Sequence, residues 1–201
     1  MVNDSNVMYE MLEENETILW QGKPKLSAFF WNRFFQTLPF VIIWGGIDVL
    51  IFSLVWSTGD IGVRIFICCF MALHALPVWL WLKNVFTTKI VFDNTYYFVT
   101  DKRVLLRDGC IGYEYKNIYY QNIKDLHLSV GLIDRMLGVG DIHIHVHDEA
   151  NGKGKHTIID IENPEHVFAL LQRATRDIAT DIYYPNALRP GTNPGYHTSY
   201  R

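Results

Sequence analysis

The chain has 201 residues, 39 formal charges, a net charge of −3 and 49% hydrophobic residues. Residues 34–82 hold only three of those charges (Asp48, Asp60 and Arg64), and the other 152 residues hold 36, the density of an ordinary soluble domain. This division excludes a wholly soluble globule and a polytopic transporter, and 14% aromatic residues argue against disorder.

Residues 1–33 carry five acids and three bases and read as a cytoplasmic N-terminal segment. The acidic start is unlike a secretory signal peptide. No segment has the basic excess of a nucleic-acid binder, so nucleic acid is not an expected partner. Cys68, Cys69 and Cys110 imply no disulfide framework and fit a reducing compartment.

Residues 34–84 predict a two-helix transmembrane hairpin. Its apolar runs, 37–56 and 65–82, are each near the ~20 residues that cross a bilayer core. The link, roughly Ser57–Arg64, is short enough to make the helices antiparallel. Trp31, Trp56, Trp79 and Trp81 fall near the run ends, where indole rings favour the interface. Lys23, Lys25 and Arg33 precede the first run, and Lys83 and Lys89 follow the second. The positive-inside rule therefore places both termini in the cytoplasm of a bacterial inner membrane, as a multi-pass protein.

Residues 85–182 predict several short strands followed by one helix. KIVFDNTYYFVT, from Lys89, is rich in β-branched and aromatic residues. Asp101-Lys102 and Asp108-Gly109 are turn signals flanking RVLLR. CIGYEYKNIYY and IKDLHLSV read as strands, and LIDRML as a short helix closed by Gly138-Val139-Gly140. DIHIHVH alternates strictly, and NGKGK reads as a hairpin loop leading into HTIIDI. Asn163 as N-cap, Pro164 at the first position and Glu165 open a last helix. Its apolar stripe is Val167, Phe168, Leu170, Leu171, Ala174 and Ile178. The expected architecture is a membrane α-helical hairpin plus an α+β domain, an antiparallel β-sandwich or open barrel capped by the C-terminal helix. Residues 183–201, with three prolines and two glycines, predict an extended or disordered tail.

Four residue sets carry the order and spacing of a known family. They are Glu16-x-Ile18-Leu19 with Pro24; Tyr97-x-Val99-Thr100-Asp101-Lys102-Arg103-Val104; Gly138-Val139-Gly140-Asp141-Ile142; and Ile161-x-Asn163-Pro164. Over roughly residues 16–175 the chain resembles bacterial membrane proteins that join two transmembrane helices to a cytoplasmic pleckstrin-homology-like domain, long a domain of unknown function. The resemblance implies a PH-like β-sandwich closed by a C-terminal helix and no established catalytic residues. It implies membrane-surface scaffolding, lipid or peptide recognition, or self-assembly.

Four constellations bear on function. Asp48 and His74 lie within the two runs at depths differing by only ~3 Å along the helices, so they can pair across the hairpin. The readings are a structural clasp, a contact with a partner subunit or polar cavity, and a proton relay. Lys83, Lys89, Lys102, Arg103 and Arg107 form a basic set, read either as a site for anionic lipid or as orientation anchors on a solvated face. His143, His145 and His147 share one strand face, with His156 a neighbour across the hairpin. They read as ligands to zinc or copper, or as a solvated face. Tyr96, Tyr97, Phe98, Tyr113, Tyr115, Tyr119 and Tyr120 alternate between core and a protein-binding face.

The sequence contains no P-loop, GxSxG, HExxH or CxxC, and no dinucleotide-binding GxGxxG follows a strand. It therefore points to no cofactor and to a non-enzymatic protein. The function expected is scaffolding or stabilising a membrane protein complex, as an accessory subunit or by self-association at the lipid bilayer. Recognition of anionic lipid headgroups and metal binding by the histidines are the alternatives.

Overall fold

The computed structural model describes residues 8–147 and 154–183. Of the expected tail, 183–201, Tyr183 ends a helix that starts at Pro164; residues 184–201, and the loop at residues 148–153, lie outside the described residues. The chain divides into two units, residues 30–89 and residues 1–29 with 90–201.

The helical unit is built on α1 (Leu26–Thr58), α2 (Ile61–His74) and α3 (Leu76–Asn94). The link between α1 and α2 is shorter than the sequence suggests, because Asp60 caps α2. Its carboxylate accepts the Val63 amide at 2.9 Å, so Arg64 belongs to the helix and lies 5.2 Å from the Trp56 ring. Residues 26–57 form a helix long and apolar enough to cross a membrane near the N-terminus. The second apolar run is broken. α2 and α3 meet at Ala75 with a 47° bend and pass the same test only as one bent span. Pro77 causes the break, since it has no N–H for the Leu73 carbonyl. The Val78 amide bonds Ala75 instead of the carbonyl four residues back, and that freed carbonyl, on His74, accepts Trp44 Nε1 at 2.9 Å. The helices run antiparallel, Trp81 Nε1 donating to the Phe34 carbonyl at 3.0 Å.

The β unit has two antiparallel sheets. One has the order β1-β2-β3-β4, from β1 (Ile18–Gly22), β2 (Tyr96–Thr100), β3 (Arg103–Asp108) and β4 (Glu114–Tyr119). The other is β5 (Ile123–Ser129), β6 (Val139–Val146) and β7 (Lys155–Glu162) in that order. Two-residue periodicity sends Tyr97, Val99, Val104, Leu106, Ile142, Ile144 and Ile158 inward, and the register shift opposite Gly140–Ile142, where Asp160 has φ +54°, brings Ile161 inward as well. Helix α5 (Pro164–Tyr183) closes this core with Val167, Leu171, Ala174 and Ile178, the stripe its sequence predicts. The short helix α4 (Leu132–Leu137) joins β5 to β6 and ends at Gly138, whose φ of +68° suits glycine.

Two expectations are corrected. Residues 89–94 are the end of α3, not a strand. The helix that starts at Leu76 propagates through them at one hydrogen bond per residue, and Phe92 packs against buried Phe29 at 6.1 Å. The N-terminal segment is not separate from the β domain. It supplies β1, and Met8 and Leu12 cover Phe98 and Leu105 on the outer face of the first sheet. Asn163 stands at the expected N-cap position before Pro164, with φ +50° and its carbonyl accepting the His166 amide at 3.1 Å. Asparagine tolerates that left-handed conformation better than most residues.

Candidate functional site

The predicted Asp48 and His74 meet. His74 Nδ1 lies 2.6 Å from Asp48 Oδ1. Trp44 and Asp48, one turn apart on α1, approach His74 from one side; Phe70, one turn earlier on α2, stacks on it from its own helix. The imidazole centroid lies 4.8 Å from that of the Trp44 ring and 5.2 Å from that of Phe70, the ring nearly parallel to both. With the Trp44 bond to the His74 carbonyl, two side chains of α1 hold one residue by ring and backbone, at the Pro77 break. The arrangement serves as a clasp that satisfies polar groups inside an apolar unit.

The basic set does not form one site. Arg103 is buried on the outer face of β3 and binds Glu16 through Nε at 3.1 Å and Nη2 at 3.0 Å, while Nη2 also donates to the Met11 carbonyl at 2.9 Å. Glu16 further accepts the Thr100 hydroxyl at 2.7 Å. Burial alone would raise the Glu16 pKa, but the Arg103 guanidinium, the Glu13 amide and the Thr100 hydroxyl outweigh it and hold the carboxyl below the usual range. Lys102 Nζ lies 3.1 Å from Glu13 Oε2, which raises its pKa. Arg107 is 1% exposed, its guanidinium 4.2 Å from the Tyr113 ring centroid. Three of the five expected lipid contacts are thus structural. Lys83 and Lys89 are exposed on α3 but six residues apart, ~120° around the helix.

The histidine strand does not converge on a metal. His143 Nδ1 hydrogen-bonds Thr157 Oγ1 at 3.0 Å, and His145 lies edge-on to His127 at 5.6 Å. Register places His156 opposite Ile144, on the inner side of the sheet, away from His143 and His145. No group of three or more His, Cys, Asp or Glu among the described residues is arranged to hold a metal ion. Alternate positions of a flat strand share a face but diverge as the strand runs, so His143, His145 and His147 cannot close a coordination sphere. Burial and nearby Lys155 depress the His143 pKa, and burial and Lys116 depress that of His156.

The aromatic cluster divides as alternation requires. Tyr97 and Tyr120 are in the core, and burial raises the Tyr97 pKa while its hydroxyl accepts the Ile159 amide at 3.3 Å. Tyr96, Phe98 and Tyr115 belong to the outer cluster under Met8 and Leu12. Sequence reasoning marked Glu16 in a family motif but missed the covering role of this segment and the pairing of Glu13 and Glu16 with Lys102 and Arg103. The signal was there: two acids placed shortly before an apolar run that ends at Gly22. It also missed a cleft of about 370 Å3 lined by Tyr9, Gln21, Gly22, Lys23, Tyr96 and Phe98. Lys23 Nζ sits 3.8 Å over the Tyr96 ring there.

Paired antiparallel sheets and a closing helix describe a PH-like protein, here joined to a helix long and apolar enough to cross a membrane. The family model described as Bacterial PH domain matches residues 35–175, and the chain belongs to that family. The matched stretch begins within α1, so the family includes helical as well as sheet sequence, and β1 lies outside it. A protein of the DUF1696 family with a pleckstrin-homology domain, from Shewanella loihica PV-4, is similar over 41% of this chain and 68% of that chain. The identity is 14% and the TM-score 0.30. No curated protein matches the chain.

Proposed function

We propose that the protein is a non-enzymatic scaffold of the bacterial inner membrane. α1 and the bent pair α2–α3 cross the bilayer, both termini are cytoplasmic, and the PH-like domain stabilises a membrane protein complex at the surface. The fate of the basic hairpin carries this reading. Lys102 and Arg103 are committed to Glu13 and Glu16 within the fold, which favours protein contact over headgroup binding at that hairpin. β4 and β7 each end a sheet among the described residues, and strand edges of this kind offer unpaired backbone groups to a partner. Tethering by two spans raises the effective concentration of such contacts.

A photo-crosslinking residue at Asn117, exposed on β4, tests this in intact cells. A discrete protein adduct is expected. Adducts to lipid alone would overturn the reading in favour of headgroup recognition, for which Lys23 and its cleft are then the better seat than Lys102 or Arg103.

A further inference from the structure

From Tyr96 to Ile178, every exposed large hydrophobic side chain among the described residues lies in one of two connections. The β3–β4 turn presents Ile111, fully exposed, and Tyr113, and the β5–β6 connection presents Val130, Leu132 and Met136, the last two 80% exposed. Neither is a loose loop. At Gly109 φ is +155°, and a Cβ there would meet the Gly112 carbonyl oxygen at 2.0 Å, so the turn is tight and projects Ile111 outward. In α4 the acid Asp134 is turned inward, accepting the Gly131 amide at 2.8 Å, while Leu132, Arg135 and Met136 face out. The surface is apolar with a basic residue and no exposed acid on α4.

Both connections are tied to the points where the chain leaves and re-enters the β unit. Lys25, immediately before α1, donates from Nζ to the Leu137 carbonyl at 3.0 Å and from its amide to the Asp160 carbonyl at 2.7 Å. Asn94, the last residue of α3, donates to the Gly109 carbonyl at 3.3 Å. The 32-residue apolar helix from Leu26 is ~48 Å long, which matches the ~40–45 Å of a bilayer with its headgroup layers. Its first residue then falls at the headgroup boundary.

We propose that Ile111, Tyr113, Leu132 and Met136 form a second membrane contact, by which the β domain rests its apolar connections in the interfacial layer of the bilayer. This rests on the reading of α1 as a membrane span. The occupant is lipid rather than a second protein because the patch adjoins the residues that lead into α1 and out of α3, and because it pairs apolar side chains with Arg135.

The test uses the full chain in nanodiscs of mixed zwitterionic and anionic lipid, with Cys68, Cys69 and Cys110 replaced by Ser. Spin labels are placed singly at Ile111, Leu132, Leu50 and Gln172, the last exposed on α5. Labels at Ile111 and Leu132 should collide several-fold more with oxygen than with a water-soluble nickel chelate, as at Leu50 and unlike Gln172. If Ile111 and Leu132 behave like Gln172 while Leu50 stays lipid-exposed, the second contact is wrong and the membrane reading stands. An aqueous Leu50 sinks both. Dipolar broadening between labels at Leu132 would point to a second copy and also overturn the proposal. Should the cysteine replacements prevent folding, Leu132→Asp with Met136→Asp in the natural background serves instead. It should lower the melting temperature in nanodiscs but not in detergent, and equal effects in both would count against the contact.

Discussion

Arg103 shows how one residue's surroundings decide its role. Exposed in a turn, it would be a lipid ligand; buried against Glu16, Thr100 and the Met11 carbonyl, it ties the N-terminal segment to the β2–β3 hairpin. Removing one partner of a buried pair leaves an uncompensated charge and costs roughly 3–5 kcal/mol. Arg103→Leu should therefore lower the melting temperature strongly, and the double variant Arg103→Leu with Glu16→Leu should lower it less. A double variant that is worse than the single would show that the pair contributes more than the penalty of its orphaned partner. The histidines give a pH dependence of known sign. The folded-state pKa values of His143 and His156 are depressed below 6.5. Their contribution to stability is full above that value and is lost as pH falls through the lower folded-state values. Melting at pH 5.5 should occur below that at pH 7.5, and His143→Asn with His156→Gln should narrow the gap. An unchanged gap would place the acid sensitivity elsewhere.

Among the elements, the helical hairpin was the most legible in the sequence, since a 49-residue stretch with only three charges is visible without any fold. Asp48 and His74 were legible too, because helical rise converts sequence position into depth. The strands from Tyr96 to Glu162 followed from alternation and turn residues. Residues 89–94 misled for a physical reason: β-branched and aromatic composition favours strand locally, but extending an existing helix needs no new nucleus. The bend at Ala75 has a visible cause in Pro77, yet the rescue of the His74 carbonyl by Trp44 is tertiary and left no pattern to read. The covering role of Met8 and Leu12, and the burial of Arg103, depend on contacts across more than eighty residues, which no local period records. The clasp makes its own prediction. Asp48→Leu should loosen the hairpin by about 1 kcal/mol, the usual size of polar contacts between membrane helices. Thermal unfolding in detergent measures it, and an unaltered profile would remove the clasp from the account.

At the scale of the whole molecule, the chain is a bacterial PH-domain protein in which described residues before and after the helical unit in sequence together build one sheet unit. The insertion explains why β1 precedes α1 while its neighbour β2 follows α3. A fold of this kind supports many roles, so the function rests on the surface: internally satisfied bases, histidines that share a face without converging, and open strand edges. The measurement that bears most directly on the scaffold reading is native mass spectrometry of the full-length protein released from its own membrane in mild detergent. The account predicts a complex with a protein, either another chain or further copies of this one, at fixed stoichiometry and without bound metal. A monomer that carries only anionic lipid, or one that carries zinc or copper, would contradict it.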